Sequence, residues 1–540
     1  MSSHAFSVMP PRSALLRLTP FVLAMGALLL PAFATSAFAQ TLGGSNSGGV
    51  AIPSFNVTFT APTGSNGQGG TFSNHKTGAH AVTATARRAS ATSNATNVDK
   101  SLTAFASLTA TAATIDVFGF GFTAPSGTLT FTDVTTGSPV ASPVTLNTAA
   151  ATTALTPQVT TSTGTNTFPC WTELADVNGD GKLDLITSLY ETDSVSVQLG
   201  NGDGTFQAAT NILIASGFGP AEVHAVSLRG GNIMDLIVGS FNTNQIAVLL
   251  GDGNGTFQTP VFYTVGSAAN TPTSLTTGDF NDDGNLDVAT ANTGDNTVSI
   301  LLGDSSGGLT VSGSAINVGR VPEAIRAGDF NGDGFSDLAV ANYADGTVSL
   351  LKNNDDGTFK VTVKAVGSGP QALGIVEVGT DLLIAVANFG SNSVTVLDDV
   401  GNSAKFAVTA SVNVGAGPDD VRFADFNGDG IEDIVATNYR SGTVNLLMGS
   451  SGGTYTVLGP FSVGSGPYSA AVGDINLDGT PDLVVSNCFS NNTGVLFDGT
   501  QIATSYSGLS LTAGHQVEAS YTPNGVSLYG TSSSAVATVP

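Results

Sequence analysis

A nine-residue acidic motif returns along this chain at a nearly constant interval, and that interval restricts the fold more than any other feature. Asp176-Val-Asn-Gly-Asp-Gly-Lys-Leu-Asp184 recurs as Asp279–Asp287, Asp329–Asp337, Asp425–Asp433 and Asp474–Asp482. Two further units keep the surrounding pattern but lose the acidic loop: Ser227-Leu-Arg-Gly-Gly-Asn-Ile-Met-Asp235, and one with Leu383 in the final slot. The final slots are therefore 184, 235, 287, 337, 383, 433 and 482. After each comes a run such as Leu-Ala-Val-Ala-Asn, then Gly-Thr-Val-Ser-Leu-Leu, a Gly/Asp turn with Thr-Phe, and a Gly-Pro or similar pair. The segments are rich in Val, Ile, Thr and Phe, are bounded by turn residues, and lack helical periodicity. Seven such units, each of roughly 50 residues with four strands, predict an all-β fold: a seven-bladed β-propeller.

Composition agrees. Only 11% of the 540 residues are charged, and 41 Asp+Glu against 16 Lys+Arg leave a net charge of −25. A nucleic-acid binder needs a basic footprint, and a coiled coil needs far more Glu, Lys and Leu. The 41% hydrophobic content is enough to build cores.

The unit Gly-Asp-Phe-Asn-Gly-Asp-Gly-x-x-Asp-Leu-Ala-Val-Ala-Asn resembles the FG-GAP/VCBS repeat, the blade of integrin α-subunit propellers and of many secreted bacterial proteins. The resemblance covers residues 153–500 and implies a propeller that binds partners through one face. The seventh unit lacks its own fourth strand, and Leu155–Ser162 ahead of the first loop matches that segment, so the N-terminal strand is expected to close the ring. Residues 101–152 and 501–540 resemble the two halves of a bacterial Ig-like repeat, so the propeller is expected to be inserted into an Ig-like β-sandwich. Two unrelated flanking modules are the alternative. Residues 40–100 read as a low-complexity linker or a degenerate Ig-like segment. Residues 1–39 read as a signal peptide, with Arg12 and Arg17 before the apolar run Phe21–Leu30 and Ala37-Phe-Ala39 at the cleavage site. The expected location is therefore secreted or cell surface, with no membrane span in the mature chain.

The chemistry is concentrated in the acidic loops. Oxygen donors at positions 1, 3, 5 and 9, with Gly at 6 for the sharp turn, suit one hard cation, Ca²⁺ rather than Zn²⁺. The candidate ligands are Asp176, Asn178, Asp180 and Asp184; Asp279, Asn281, Asp283 and Asp287; Asp329, Asn331, Asp333 and Asp337; Asp425, Asn427, Asp429 and Asp433; and Asp474, Asn476, Asp478 and Asp482. About five Ca²⁺ would bring the net charge from −25 to roughly −15. Polar hairpin turns without a cation would leave three carboxylates converging in each loop.

No catalytic residues are identified. Gly303-Asp-Ser305-Ser-Gly307 satisfies a nucleophile-elbow pattern, yet it occupies the turn that sibling units fill with Gly200–Gly204 and Gly251–Gly255. The slot after the second strand holds Tyr190, Phe241, Thr293, Tyr343, Phe389, Tyr439 and Cys488. Its aromatics are expected on the face opposite the acidic loops, either as a ring for capturing cations or stacking on sugars, or as packing between blades. Cys170 and Cys488 are expected to meet across the ring seam in a disulfide. The function expected is recognition or adhesion toward a protein or glycan, without catalysis. A polysaccharide lyase or hydrolase using the channel, or a structural spacer, remains the alternative.

Overall fold

A computed structural model describes residues 99–538 apart from residues 101, 110–111, 121–123, 157–158, 268–269, 355–357, 379–380, 400–404, 508–514, 524–528, 531 and 535. The expected signal peptide and nearly all of segment 40–100 lie outside the described residues. Among the described residues the fold is all-β and contains eight four-stranded antiparallel sheets, seven of which are the blades of a ring. Their inner strands, Pro169–Ala175, Pro220–Val226, Pro272–Gly278, Pro322–Gly328, Pro370–Val378, Pro418–Ala424 and Pro467–Gly473, define blades 1 to 7. Each packs beside the next, and the seventh packs beside the first, so the blades form a closed β-propeller.

Blade 4 shows why the sequence folds this way. Pro322–Gly328 pairs with Asp337–Asn342, which pairs with Thr347–Asn353, which pairs with Phe359–Ala365. Every residue of Asp337–Asn342 is buried because both faces of the sheet lie against neighbouring blades. A continuous Leu-Ala-Val-Ala run suits such a strand, whereas alternation would not. Phe359–Ala365 lies at the rim and is mostly exposed. The Asn ending the second strand ties the following turn to the third strand. Asn342 Nδ2 donates to Thr347 Oγ1 at 3.1 Å and to Ser349 Oγ at 2.9 Å.

The acidic loop also locks blades together. The aromatic at its second position is buried, and Phe330 of blade 4 meets Phe406 of blade 5 edge-on at 5.3 Å. Phe280 meets Phe359 in the same way at 6.2 Å. Each Phe buries on the order of 150–250 Å², so these contacts contribute several kcal/mol per blade junction.

The outer strand of blade 7 is Val159–Ser162, paired with Asn492–Leu496. Segments from before and after the ring pair with each other outside it. Ala112–Phe120 pairs with Asp498–Ser507, and Gly127–Asp133 pairs with Gln516–Pro523. The two sheets share a core of Ile115, Val117 and Ile502 against Leu129, Phe131, Ala519 and Tyr521. Thr152–Leu155 pairs with Asp498–Ser507. Residues 153–155 and 498–500 thus belong to these flanking sheets rather than to the ring, because the strand leaving blade 7 continues straight into them. Among the described residues, no helix is long and apolar enough to cross a membrane.

Candidate functional site

The acidic loops join the first and second strands of their blades at one end of the ring. In blade 1, Asp176 Oδ1 accepts from the N–H of Gly179 at 2.7 Å and Asp180 at 3.2 Å, and its Oδ2 accepts from Gly181 at 2.7 Å. Asn178 Oδ1 accepts from Asp180 N–H at 2.8 Å, and Asp180 Oδ1 from Lys182 N–H at 3.0 Å. Asp279, Asp329, Asp425 and Asp474 cap their own loops in the same manner. The first, third and fifth positions are therefore held in one tight turn by backbone donors. Among the described residues, no three His, Cys, Asp or Glu side chains converge as a metal-holding group.

The ninth position does something the spacing alone does not reveal. Asp337 is fully buried; its Oδ2 accepts from Phe330 N–H at 3.0 Å and its Oδ1 from Asn353 N–H at 2.7 Å. The same bracket ties loop to third strand at Asp184, Asp287, Asp433 and Asp482. Burial pushes these carboxyls up, and the loop carboxylates beside them add to it. Asp337 rises to about 7 with Asp333 and Asp329 nearby, and Asp433 to about 6 with Asp429 and Asp425 nearby. Asp184 and Asp287 rise too, and Asp482 rises well above its ordinary value. Two backbone N–H groups do not offset a buried negative charge facing like charges.

Blade 2 keeps the bracket without the acidic loop. Asp235 is buried and accepts from Leu228 N–H at 3.1 Å and Gly251 N–H at 2.8 Å. Here the third loop position is Arg229. Its guanidinium grips both oxygens of Asp235, at 2.5 and 3.3 Å, and donates to Gly251 O at 2.6 Å. The blade that lost its loop carboxylates has thus gained a covalently attached cation at the same carboxylate. Spacing alone makes this loop a degenerate copy, although an Arg in the third slot was its visible signal. Blade 5 has no such loop: Val378 and Asp381 pair across a short hairpin, with the final slot at Leu383.

Blade 7 differs in another way. Asp498 takes the place that is glycine at 200, 251, 303 and 449 and Asn353 in blade 4, and its N–H donates to Asp482 Oδ1 at 3.2 Å. It is fully buried. Burial, with Asp478, Asp433 and Asp425 nearby, pushes it up to about 9 against the opposing Gly499 N–H.

At the opposite end of the ring, the predicted aromatic face is largely closed. Phe241, Phe389 and Tyr439 are buried in a cluster with Tyr468, Cys170 and Cys488, while Tyr190 and Tyr343 are half-buried. Of the two environments expected for this slot, Phe241, Phe389 and Tyr439 take the packed one: consecutive aromatics meet edge-on or tilted, as at Phe389–Tyr439 with 6.3 Å between centroids. The chain helps to shut it, since a Cβ at Gly417 or Gly466, both at positive φ, would press on Phe389 or on Tyr439 and Phe489. Phe489 remains 49% exposed, and Arg440 lies 4.3 Å over the Phe389 ring.

The predicted disulfide is corrected. Cys170 and Cys488 are both thiols: Cys488 Sγ donates to Pro169 O at 2.9 Å and Cys170 Sγ to Phe168 O at 3.4 Å. A bulge where Pro169 and Trp171 pair with adjacent residues Leu189 and Ser188 leaves Cys170 unpaired on its strand. The sulfurs turn to separate carbonyls, although the residues are seam neighbours.

The channel holds a charged network that lies outside the repeated motif and that sequence reasoning missed. Arg326 pairs with Glu222 at 2.9 Å, and His224 reaches the same oxygen at 3.0 Å. Arg422 pairs with Asp420 at 3.2 Å, and both guanidiniums stack on Trp171, at 5.6 and 4.8 Å from its centroid. Burial alone would raise Glu222, but Arg326 and His224 outweigh it and hold the carboxyl far below its ordinary range. The Glu-x-His and Asp-x-Arg spacings on inner strands were the available signal. A cavity of about 510 Å³ opens above this layer, walled by Leu174, Ile375, Phe423 and Val472.

Comparison with known proteins follows these loops. The FG-GAP-like repeat family matches residues 176–238, 230–290, 279–340 and 425–485, and the FG-GAP repeat matches 321–361. The chain carries FG-GAP repeats. No curated protein matches it. Among solved structures, a Lactobacillus plantarum protein is similar at 16% identity and TM-score 0.47, over 63% of this chain and 97% of that one. The periplasmic gluconolactonase PpgL of Pseudomonas aeruginosa is similar at 14% identity and TM-score 0.46, over 64% and 98%. BBS1N, solved in complex with ARL6DN, is similar at 14% identity and TM-score 0.45, over 62% and 94%. These likenesses concern the fold alone.

Proposed function

We propose that this FG-GAP repeat chain is an exported, calcium-stabilised, non-catalytic scaffold for recognition or adhesion. The observation that carries the calcium reading is the exchange between blades. Where the loop keeps its carboxylates, a buried Asp faces like charges. The lysines that reach Asp180 in blade 1 and Asp333 in blade 4 at 3.4 Å pair with the loop's exposed fifth position rather than with the buried Asp. Where the loop loses its carboxylates, Arg229 supplies the positive charge at the buried Asp itself. Bound there, Ca²⁺ would neutralise the loop carboxylates and tie loop, second strand and neighbouring blade together. The all-oxygen donor set of Asp and Asn suits this hard ion. Export rests on residues 1–39.

Binding rather than catalysis is favoured by the channel. Its buried carboxylates Glu222 and Asp420 are each engaged by a guanidinium, which suits a rigid plug better than a general acid. A protein or carbohydrate ligand is placed at the face opposite the acidic loops, on the rim formed by Phe489, Arg440 and the accessible edges of Tyr190 and Tyr343. The test uses the mature chain. Excess chelator should lower the melting temperature markedly, and glycan and protein arrays should give a ligand whose binding is lost in Phe489→Ala. An unchanged melting curve refutes the calcium reading; a bound ligand indifferent to Phe489 refutes the placement.

A further inference from the structure

The fifth residue of the inner strand varies from blade to blade while the strand around it repeats. In blades 1, 2, 4, 5, 6 and 7 this slot holds Glu173, His224, Arg326, Gly374, Arg422 and Ala471, and all six line the cavity of about 510 Å³ in the channel. Gly374 and Ala471 stand on either side of Arg422 and leave the room beside it. The residues that follow toward the acidic loops, Leu174, Ile375, Phe423 and Val472, form the wall and are only half-buried.

Beneath this ring the third residues of the same strands include Trp171, Glu222 and Asp420, all buried. The carboxylates are hidden and the donors face the space: Glu222 and Asp420 are 1% and 0% exposed, against 20% for His224 and 21% for Arg422. Both guanidiniums are fixed by the chain itself. Arg326 Nη1 donates to Ile325 O at 2.7 Å, and Arg422 Nε to Ala470 O at 3.0 Å. Donors held in place in advance reduce the cost of ordering them around a ligand.

Charge decides what such a pocket takes. Two guanidiniums stand against three carboxylates, Glu173, Glu222 and Asp420, and His224 can at most balance the third. No surplus positive charge remains for an anion, and a cation would meet the guanidiniums first. A neutral ligand rich in hydroxyls meets neither objection. Its oxygens accept from Arg326, Arg422 and His224, its O–H groups donate to Glu173, and its C–H faces lie against the apolar wall. The volume falls within the range of small-molecule sites. Trp171 closes the bottom, so a longer chain enters by its end alone.

We propose that the channel is a blind pocket for a neutral sugar, either free or as the terminal unit of a glycan, entered from the acidic-loop end. This site is separate from the rim at Phe489 and does not depend on whether the loops hold calcium.

Trp171 is the single Trp of the chain and lies under both guanidiniums, so its emission reports on the pocket. The experiment titrates the mature chain with neutral hexoses, their methyl glycosides and neutral oligosaccharides, with hexuronates as the charged contrast. A neutral sugar should change the emission saturably and its hexuronate should not. A hexose that binds only without the methyl group identifies a free sugar; a methyl glycoside and oligosaccharide that both bind identify a glycan terminus. Glu173→Gln alters only a charge on a half-buried side chain, so it keeps the fold, and it should weaken binding about tenfold. Val472→Phe fills the space without touching a charge and should abolish binding. Emission indifferent to every neutral sugar marks a water-filled channel only and overturns the proposal. Hexuronates that bind as well as neutral sugars, or affinity unchanged in both variants, overturn it too.

Discussion

Replacing Arg229 by Met tests whether blade 2 carries its own cation. Met keeps most of the apolar stem and removes the guanidinium, leaving Asp235 buried with two backbone N–H donors and no counter-charge. Breaking a buried pair by deleting one partner costs about 3–5 kcal/mol, and the lower end applies because Arg229 is 26% exposed. The ring spans residues 159–496, so at about 2 cal/mol/K per residue its unfolding entropy is roughly 0.7 kcal/mol/K. A loss of about 3 kcal/mol then lowers Tm by about 4 °C. Scanning calorimetry should find that fall equally in calcium and in chelator, because Ser227 and Gly231 offer no carboxylate to recruit an ion. A second variant, Ser227→Asp with Arg229→Asn, Gly231→Asp and Asn232→Gly, rebuilds the acidic loop and should recover the lost stability only when calcium is added. A Tm unchanged in Arg229→Met, or a fall that calcium alone repairs, would refute the reasoning.

Two further outcomes follow from the same geometry. Asp337 has its folded pKa raised to about 7, so in chelator its stabilising contribution is present below its ordinary value near 4 and is lost as pH rises through 7. Denaturant titrations from pH 4 to 8 should show that decline in the wild type, a flatter curve in Asp337→Asn, and none of this decline once calcium is bound; identical slopes in chelator would contradict it. Phe330→Ala removes a fully buried ring from the blade 4–5 junction and should cost about 3–5 kcal/mol with or without calcium, read as a lowered denaturant midpoint.

How much of this was readable in the chain depends on whether a residue acts through spacing or through a neighbour far away. The blades were legible because each strand repeats a pattern that answers only to its own sheet: Leu-Ala-Val-Ala is buried on both faces wherever it occurs, and the following Asn finds its Thr and Ser partners five and seven residues on. The loops were legible for the same reason, since Asp329 closes a turn on its own backbone. The aromatic slot was legible as a position but not as an environment. Whether Phe389 faces solvent depends on Arg440 and Tyr439 from the neighbouring blade, and nothing in its own repeat records them. The Cys170 bulge is a departure from register, which composition does not encode. Arg229 and Asp498 are the instructive pair. Each departs from the repeat beside a buried carboxyl: Arg229 adds a positive group at Asp235 where the loop carboxylates are gone, and Asp498 adds a carboxyl pushed up to about 9 beside Asp482. Deviations in a repeat are therefore best weighed by the charge of the buried group they face, because a buried carboxylate tolerates few neighbours and so limits what a neighbour's substitution can mean.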